Sequence, residues 1–276
     1  MTVRQTIQAI EEALCSLYDS REATAIAREV VCRVCGYTFS QLVINYDSEC
    51  VVENLQTIIS QLAASRPVQY VTGVAEFCDL EFKVREGVLI PRPETAELVA
   101  QIVADSRPGV KILDVGTGSG AIAIALAKGI EGAEVTAVDI SDVALEIAAE
   151  NAEHNGVNIS FCKADALGDM SSLGEFDIIV SNPPYIPQSD IAKMERNVVE
   201  YEPHTALFVA DDDALCFYRS IAQNGVKMLR PGGALYFEIY EEFGEQMRQM
   251  LGQMGYSDIV VAKDIFGKER MVWSRR

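Results

Sequence analysis

The sequence predicts an α/β fold, a mainly parallel sheet covered by helices on both faces, preceded by a small all-helical module. Three patterns carry this expectation. From residue 110 onward, short apolar runs of strand length alternate with amphipathic stretches of helical length. The first 72 residues show only helical periodicity, and an alternating segment at 73–90 separates the two regions. Strand–helix alternation of this sort arises when crossover helices cover a parallel sheet whose strands are buried on both sides. The expected organisation is therefore a helical domain over 1–72, a β-hairpin linker over 73–90 and an α/β domain over 91–276.

Taken in order, Val3, Ile7, Ile10 and Leu14 recur at helical spacing, as do Ala23, Ala27, Val30, Val31 and Val34. A third such face runs over 51–64 before the break at Arg66-Pro67. The module reads equally well as a structural cap or as a partner-docking surface. Over 73–90, Phe77, Leu80, Phe82, Val84, Val88 and Leu89 are punctuated by Asp79 and Glu86-Gly87, which predicts a hairpin. Pro91-Arg92-Pro93-Glu94-Thr95 then opens a helix to about residue 104, with proline and an acid in the first turn. The alternation that follows predicts strands over 110–115, 134–138, 158–162 and 176–181, with helices over 121–128, 142–153 and 214–229. Pro231-Gly232-Gly233 should turn the chain into a strand over 234–239. A helix over 241–254 and strands over 259–262 and 270–274 complete the order.

Length and composition bound the function. The 276 residues are enough to bury a substantial core, and 49% hydrophobic content suits a soluble globular protein. No apolar run reaches spanning length and residues 1–14 lack a signal-type apolar region, so a cytoplasmic protein without membrane contact is expected. With 23 basic and 41 acidic residues the net charge is −18, which disfavours direct nucleic-acid binding and suits a protein substrate. The seven cysteines lack a secreted-type framework and are expected to be reduced thiols. Cys32-x-x-Cys35 has no second paired spacing, so small apolar roles are preferred over a metal site and no metal is expected. His154 and His204 stand alone in the sequence and suggest surface or loop positions.

Two motifs carry chemistry. The first, Asp114-Val115-Gly116-Thr117-Gly118-Ser119-Gly120, follows a strand and opens a helix. Glycines there let the main chain turn sharply and approach a ligand beside a helix N-terminus. A dinucleotide site is the obvious competitor, but its fingerprint has another spacing. Asp139 ends the next strand, placed to accept hydrogen bonds from ribose hydroxyls. The second motif is Asn182-Pro183-Pro184-Tyr185. A planar amino group on an electron-poor carbon is a weak nucleophile because its lone pair is delocalised. An Asn carbonyl and a main-chain carbonyl accepting both N–H bonds would draw that nitrogen towards a tetrahedral shape. The prolines fix their own φ and add no competing N–H, and Asn182 before a proline is driven to an extended conformation. Gly116, Asp139, Asp165 and Asn182 all fall at strand ends, where open parallel sheets bind ligands.

The strand–loop–helix–strand–acid order resembles the nucleoside-binding half of class I S-adenosylmethionine-dependent methyltransferases. Over most of the chain, Arg66-Pro67-x-Gln69-Tyr70-x-x-Gly73, Glu76-Phe77, Leu89 to Thr95, Asp114 to Gly120, Asp139, Ser181 to Tyr185 and Glu202-Pro203-x-x-Ala206-Leu207 occur in an order that resembles HemK-type protein-(glutamine-N5) methyltransferases of peptide chain release factors. That resemblance implies a Rossmann-like, seven-stranded sheet after a helical release-factor-docking domain and a β-hairpin. It implies methylation of the glutamine of a Gly-Gly-Gln motif, which supports translation termination, with S-adenosyl-L-homocysteine as product; a monomer is expected. By position, it assigns Gly116, Thr117, Gly118, Ser119 and Gly120 to the methionine part of the cofactor, Asp139 to the ribose, and Asp165 and Ala166 to the adenine. Asn182, Pro183 and Tyr185 become the catalytic residues. Together with Pro184, and with Arg92 and Glu94 at the pocket entrance, they bind substrate, and Asn182 also touches the cofactor. Two positions depart from the family: Ala166 replaces a large apolar residue, and Tyr240 follows Glu238-Ile239 where glycine is common, which predicts a local loop change. The alternative reading is a nucleic-acid amino-group methyltransferase acting at adenine N6 or guanine N2.

Overall fold

A computed structural model describes all 276 residues. Along the chain the helices are α1 Val3–Leu14, α2 Ser20–Cys35, α3 Phe39–Ile44, α4 Leu55–Ala63 and α5 Val68–Thr72. Strands β1 Val74–Phe77 and β2 Leu80–Lys83 follow, then α6 Pro93–Asp105, β3 Lys111–Val115, α7 Ala121–Gly129, β4 Glu134–Asp139, α8 Asp142–His154, β5 Ser160–Lys163 and β6 Phe176–Ser181. The chain continues through β7 Ile186–Pro187, α9 Arg196–Tyr201, α10 His204–Leu207, β8 Phe208–Val209, α11 Cys216–Met228, β9 Leu229–Glu238, α12 Gly244–Gln253, β10 Ser257–Lys263 and β11 Glu269–Arg275. It divides into two compact units, Met1–Val74 with Glu195–Tyr201, and Ala75–Met194 with Glu202–Arg276. No helix is long and apolar enough to cross a membrane.

In the first unit, α1 starts in a capping box between Thr2 and Gln5, and its buried residues Val3, Ile7, Ile10 and Leu14 form one stripe. Helix α2 is capped by the Asp19 carboxylate and stopped by Gly36 in the left-handed region, burying Ala23, Ala27, Val30 and Val31. These stripes meet Leu42, Cys50 and Leu62 in one apolar core. Val34, expected on the α2 stripe, is exposed instead, in the last turn of its helix. The face expected over 51–64 becomes helical only at Leu55, because Asn54 has φ 57° and cannot extend the helix backwards. Cys32 and Cys35 pack half-buried against the core, and the Cys35 and Cys50 sulfurs lie 2.8 Å apart. Within this unit the Tyr201 hydroxyl donates to the Ala64 carbonyl.

The hairpin β1–β2 is tighter than expected. Cys78 and Asp79 both have positive φ, as a two-residue primed turn requires, and residues 84–92 leave the hairpin as a loop. Its second strand is held by Asn151 of α8, which is fully buried. Asn151 Oδ1 accepts from Lys83 N at 2.7 Å, and its Nδ2 donates to Lys83 O at 3.0 Å and Ser119 O at 2.9 Å.

The main sheet has seven strands in the order β10-β11-β9-β6-β3-β4-β5. Strands β9, β6, β3, β4 and β5 run parallel, while β11 is antiparallel to both β9 and β10. From β3 the chain winds outward through β4 and β5, then returns to β6 on the other side. The reversal places a topological switch point between the C-terminal ends of β3 and β6. Ile112, Leu113, Val115, Ile179, Val180, Leu235 and Phe237 are buried, as a sheet covered on both faces demands. Strand β9 starts earlier than expected, at Leu229. Gly232, with φ 78°, accommodates a local irregularity against β6, and main-chain bonds from Gly232 N to Arg276 O and from Arg276 N to Gly233 O tie this stretch to the C-terminus. The segment between β6 and α11, for which the sequence pattern specified no element, forms short pieces including the parallel pair β7–β8.

Candidate active site

The glycine loop leaves β3 beside the end of β4. Gly116 N and Thr117 N both donate to the Val138 carbonyl, at 2.9 and 3.0 Å, which folds the loop over β4. Asp139 then holds the loop through one carboxylate oxygen accepting from Gly118 N at 2.9 Å. Its other oxygen accepts from Ser141 N at 2.9 Å. Under the loop, the fully buried Asp114 accepts from the Thr117 hydroxyl at 2.7 Å. Burial pushes its pKa up from 3.8 to about 7. The Thr117 hydroxyl and the Ala123 amide oppose that shift, and Asp139 adds to it.

Asn182 emerges on the neighbouring strand. Ser181 pairs in register with Val115, and its hydroxyl donates to the Val115 carbonyl at 2.6 Å. Gly116 and Asn182 therefore follow paired residues on adjacent parallel strands, which run about 4.8 Å apart. Asp139 stands at the end of β4, in register with Lys163 of β5, and Asp165 comes two residues beyond that. The structure thus brings Gly116, Asp139, Asp165 and Asn182 to one rim, at the switch point.

Around Asn182 the side chains form a connected polar cluster. Asn182 Nδ2 lies 3.4 Å from Thr95 Oγ1, and the Thr95 hydroxyl donates to Glu238 Oε2 at 2.5 Å. The Tyr185 hydroxyl donates to the other Glu238 oxygen at 3.1 Å, while the Glu238 main-chain carbonyl accepts from the Tyr218 hydroxyl at 3.0 Å. Glu238 is fully buried. Desolvation raises its pKa, and the bonds from Thr95 and Tyr185 together with the Arg270 charge oppose that rise. Burial, followed by the charge of Glu238, pushes the Tyr185 hydroxyl well above its usual range, so it stays a donor at neutral pH. The Tyr185 ring packs against the main core and lies 6.2 Å from the ring of Tyr240. Tyr240, where glycine would leave open space, also donates to Asp190 at 2.6 Å and so ties the residue after Ile239 to 188–193.

The other expected residues are placed as follows. Arg92 pairs with the buried Glu202 at 2.6 Å, and Glu202 also accepts from Ile90 N at 3.1 Å. Arg92 thereby fastens the approach to α6. Glu94 is half-buried one residue before Thr95 and adds its charge to the field at Glu238. Pro183 is buried and Pro184 half-buried. Asp165 is exposed and caps its own turn through Leu167 N at 2.8 Å. Ala166 packs against the core and its carbonyl accepts from Ser220, so Leu167, not Ala166, presents an exposed apolar side chain on that loop. Thr95, Glu238 and Glu202 were given no role from sequence. The available signal was a carboxylate within an otherwise apolar strand, since such groups are buried only when partnered.

The rim suits a nucleoside with a charged tail. A Cβ on Gly116 or Gly118 would meet nothing within 4 Å, so the loop borders open space at two positive-φ positions. Gly120 differs: a Cβ there would come within 3.1 Å of Ala148 on α8, so this glycine serves helix packing. Asp139 is fixed by main-chain N–H groups and retains lone pairs for ribose hydroxyls, while Ile140 and Leu167 offer exposed apolar surface at neighbouring strand ends. These residues fit S-adenosyl-L-methionine. Comparison with known proteins agrees. The family described as a methyltransferase domain matches residues 106–265, and the PrmC N-terminal domain matches residues 5–73. A methyltransferase structure from Pyrococcus furiosus shares the fold, with TM-score 0.52 at 20% identity over 81% of this chain and 98% of its own. The release factor glutamine methyltransferase of Lactococcus lactis is 47% identical over 221 residues, covering 79% of this chain and 80% of the relative. That of Bacteroides thetaiotaomicron is 44% identical over 271 residues, 97% of this chain and 98% of the relative. With both parts of the chain matched and nearly its whole length aligned, the protein belongs to the release factor glutamine methyltransferase family.

Proposed function

We infer that the protein methylates the side-chain amide nitrogen of the glutamine in the Gly-Gly-Gln motif of peptide chain release factors. The observation that carries this reading is the pairing of Ser181 with Val115, which sets the Asn182 turn next to the glycine loop. Gly116 to Gly120, Asp139 and the Asp165 turn would hold S-adenosyl-L-methionine, whose sulfonium supplies the methyl group. The chain's contribution is alignment and a preorganised field. Asn182 Oδ1 and the Pro183 carbonyl accept the two amide N–H bonds and stabilise the positive charge that grows on nitrogen. Tyr185, already hydrogen-bonded to Glu238, packs beside the flat amide and excludes water. An N-protonated amide is so acidic that its proton leaves to water or a carbonyl without a dedicated base.

The helical unit is the docking surface in this reading. Phe39, Val43, Ile44 and Val51 lie close in sequence there, and all are exposed large apolar side chains, which supports contact with a protein partner. The test is mass spectrometry of the Gly-Gly-Gln peptide after incubation of purified release factor with enzyme and cofactor. One added methyl group on the glutamine is expected. Asn182→Ala should keep cofactor binding while turnover falls by roughly 10²–10³-fold, the range for losing one preorganised group at a developing charge. Wild-type turnover by that variant rejects the role of Asn182. Methyl transfer to RNA or DNA instead of protein in a lysate assay rejects the substrate.

A further inference from the structure

Asn182 can serve as an acceptor for the substrate amide only if its own amide group is turned the right way. The two ends of that group are nearly equal in shape, so packing alone does not select one. Hydrogen bonding does. The Thr95 hydroxyl has one proton, and at 2.5 Å from Glu238 Oε2 that proton is directed to the carboxylate. What Thr95 offers to Asn182 is therefore a lone pair, and the Asn182 atom facing it at 3.4 Å is the donor Nδ2. Oδ1 is left to face the target. The same carboxylate takes the Tyr185 hydroxyl on its second oxygen. Both sides of the amide slot thus converge on one buried group, 1% exposed, at the end of the neighbouring strand.

We propose that Glu238, acting through Thr95 on Asn182 and directly on Tyr185, is the positioning residue that sets the polarity of the slot. Thr95 is the relay. The proposal rests on the assignment of Asn182 as the amide acceptor. It adds that the relay Asn182 Nδ2 to Thr95 to Glu238 must run in that direction. A glutamine at 238 could present Nε2 to Thr95, reverse the relay, and turn the Asn182 amine towards a substrate that has only N–H groups to offer there. Thr95 lies in a helix whose proline start already explains its backbone, so its hydroxyl is the part with a separate job.

The experiment measures steady-state methylation of purified release factor, with cofactor affinity by calorimetry and thermal stability on the same samples. Thr95→Val should lower kcat by roughly 10–100-fold, the loss expected when a buried orienting bond is removed. The KM for release factor and the cofactor Kd should stay within about threefold, because the lost interaction acts mostly on the charge that develops in the transition state. Thr95→Ser, which keeps the hydroxyl, should restore turnover. Glu238→Gln should lose at least as much kcat as Thr95→Val. In an Asn182→Ala background, Thr95→Val should have no further effect, since the relay then has nothing to orient. Wild-type kcat for Thr95→Val, a loss that Thr95→Ser does not restore, or additive losses in the double variant would each overturn the proposal. Full activity of Asn182→Ala would overturn the underlying assignment instead. If Glu238→Gln fails to fold, the two Thr95 variants and the double variant still decide the matter.

Discussion

Replacing Asn151 by alanine tests how the hairpin and the cofactor loop are built. This side chain is fully buried and joins three main-chain groups, Lys83 N, Lys83 O and Ser119 O. Alanine removes all three bonds at once and leaves a donor and two acceptors facing a hole. An unsatisfied buried group costs about 1–3 kcal/mol, and a water entering between the three polar groups would recover part of that. We expect a net loss of ~3 kcal/mol in the larger unit. For a unit of this size, that corresponds to a fall in Tm of roughly 6–12 °C. Because one of the three bonds ends on Ser119 in the glycine loop, cofactor affinity should weaken in the same variant. The control is Asn155→Ala, whose amide is only half-buried and bonds Glu81 O and Asn151 O. It should cost under about 1 kcal/mol. The assay is urea unfolding by circular dichroism with calorimetric cofactor titration. Equal costs for the two variants, or an undisturbed cofactor Kd in Asn151→Ala, would refute this reasoning.

Asp139→Ala should raise the cofactor Kd by roughly 10–100-fold, since it removes both the proposed ribose acceptor and the bonds holding Gly118 and Ser141, and calorimetry reads it directly. Asp114 makes stability pH-dependent in a stated direction. Its folded pKa of about 7 exceeds the ordinary 3.8, so the folded state holds a proton that the unfolded chain lacks between those values. Its contribution is present below about 3.8 and is lost as pH rises through 7; Asp114→Asn should flatten that slope in urea titrations at pH 4 to 8, and an unchanged slope would exclude it. Burial and the bond to Cys50 push the Cys35 thiol up to about 12, so maleimide at neutral pH should modify the exposed Cys15 much faster, as peptide mapping over time will show.

The rim was readable because its residues sit at positions where local chemistry and strand periodicity coincide. Gly116 and Asn182 each end an apolar run, and parallel strands deliver their C-terminal ends to one edge. The supporting cluster was not readable in the same way. Thr95 and Glu238 are 143 residues apart in sequence, and nothing local states that they meet. Glu238 alone left a trace, as a carboxylate in an apolar strand. Boundaries failed where one residue's backbone overrode the apolar pattern. Asn54 in the left-handed region delays α4, and Gly232 lets β9 continue where Pro231-Gly232-Gly233 suggested a turn. The departure at Tyr240 showed in sequence as a bulky residue, but its bond to Asp190 depends on the short 3-10 helix Gln188–Lys193 after β7, which is too brief to show a periodicity.

The excursion of Glu195–Tyr201 into the first unit has a practical consequence for dissecting the molecule. A truncation beginning at Ala75 would excise the helices before it yet retain α9 deprived of its companions, including the Ala64 carbonyl that Tyr201 bonds. Such a fragment would carry an orphaned helix just upstream of Glu202, the anchor of Arg92. Poor behaviour of a shortened enzyme would then report a severed insertion rather than a missing recognition domain, and a fair deletion must replace 195–201 as well.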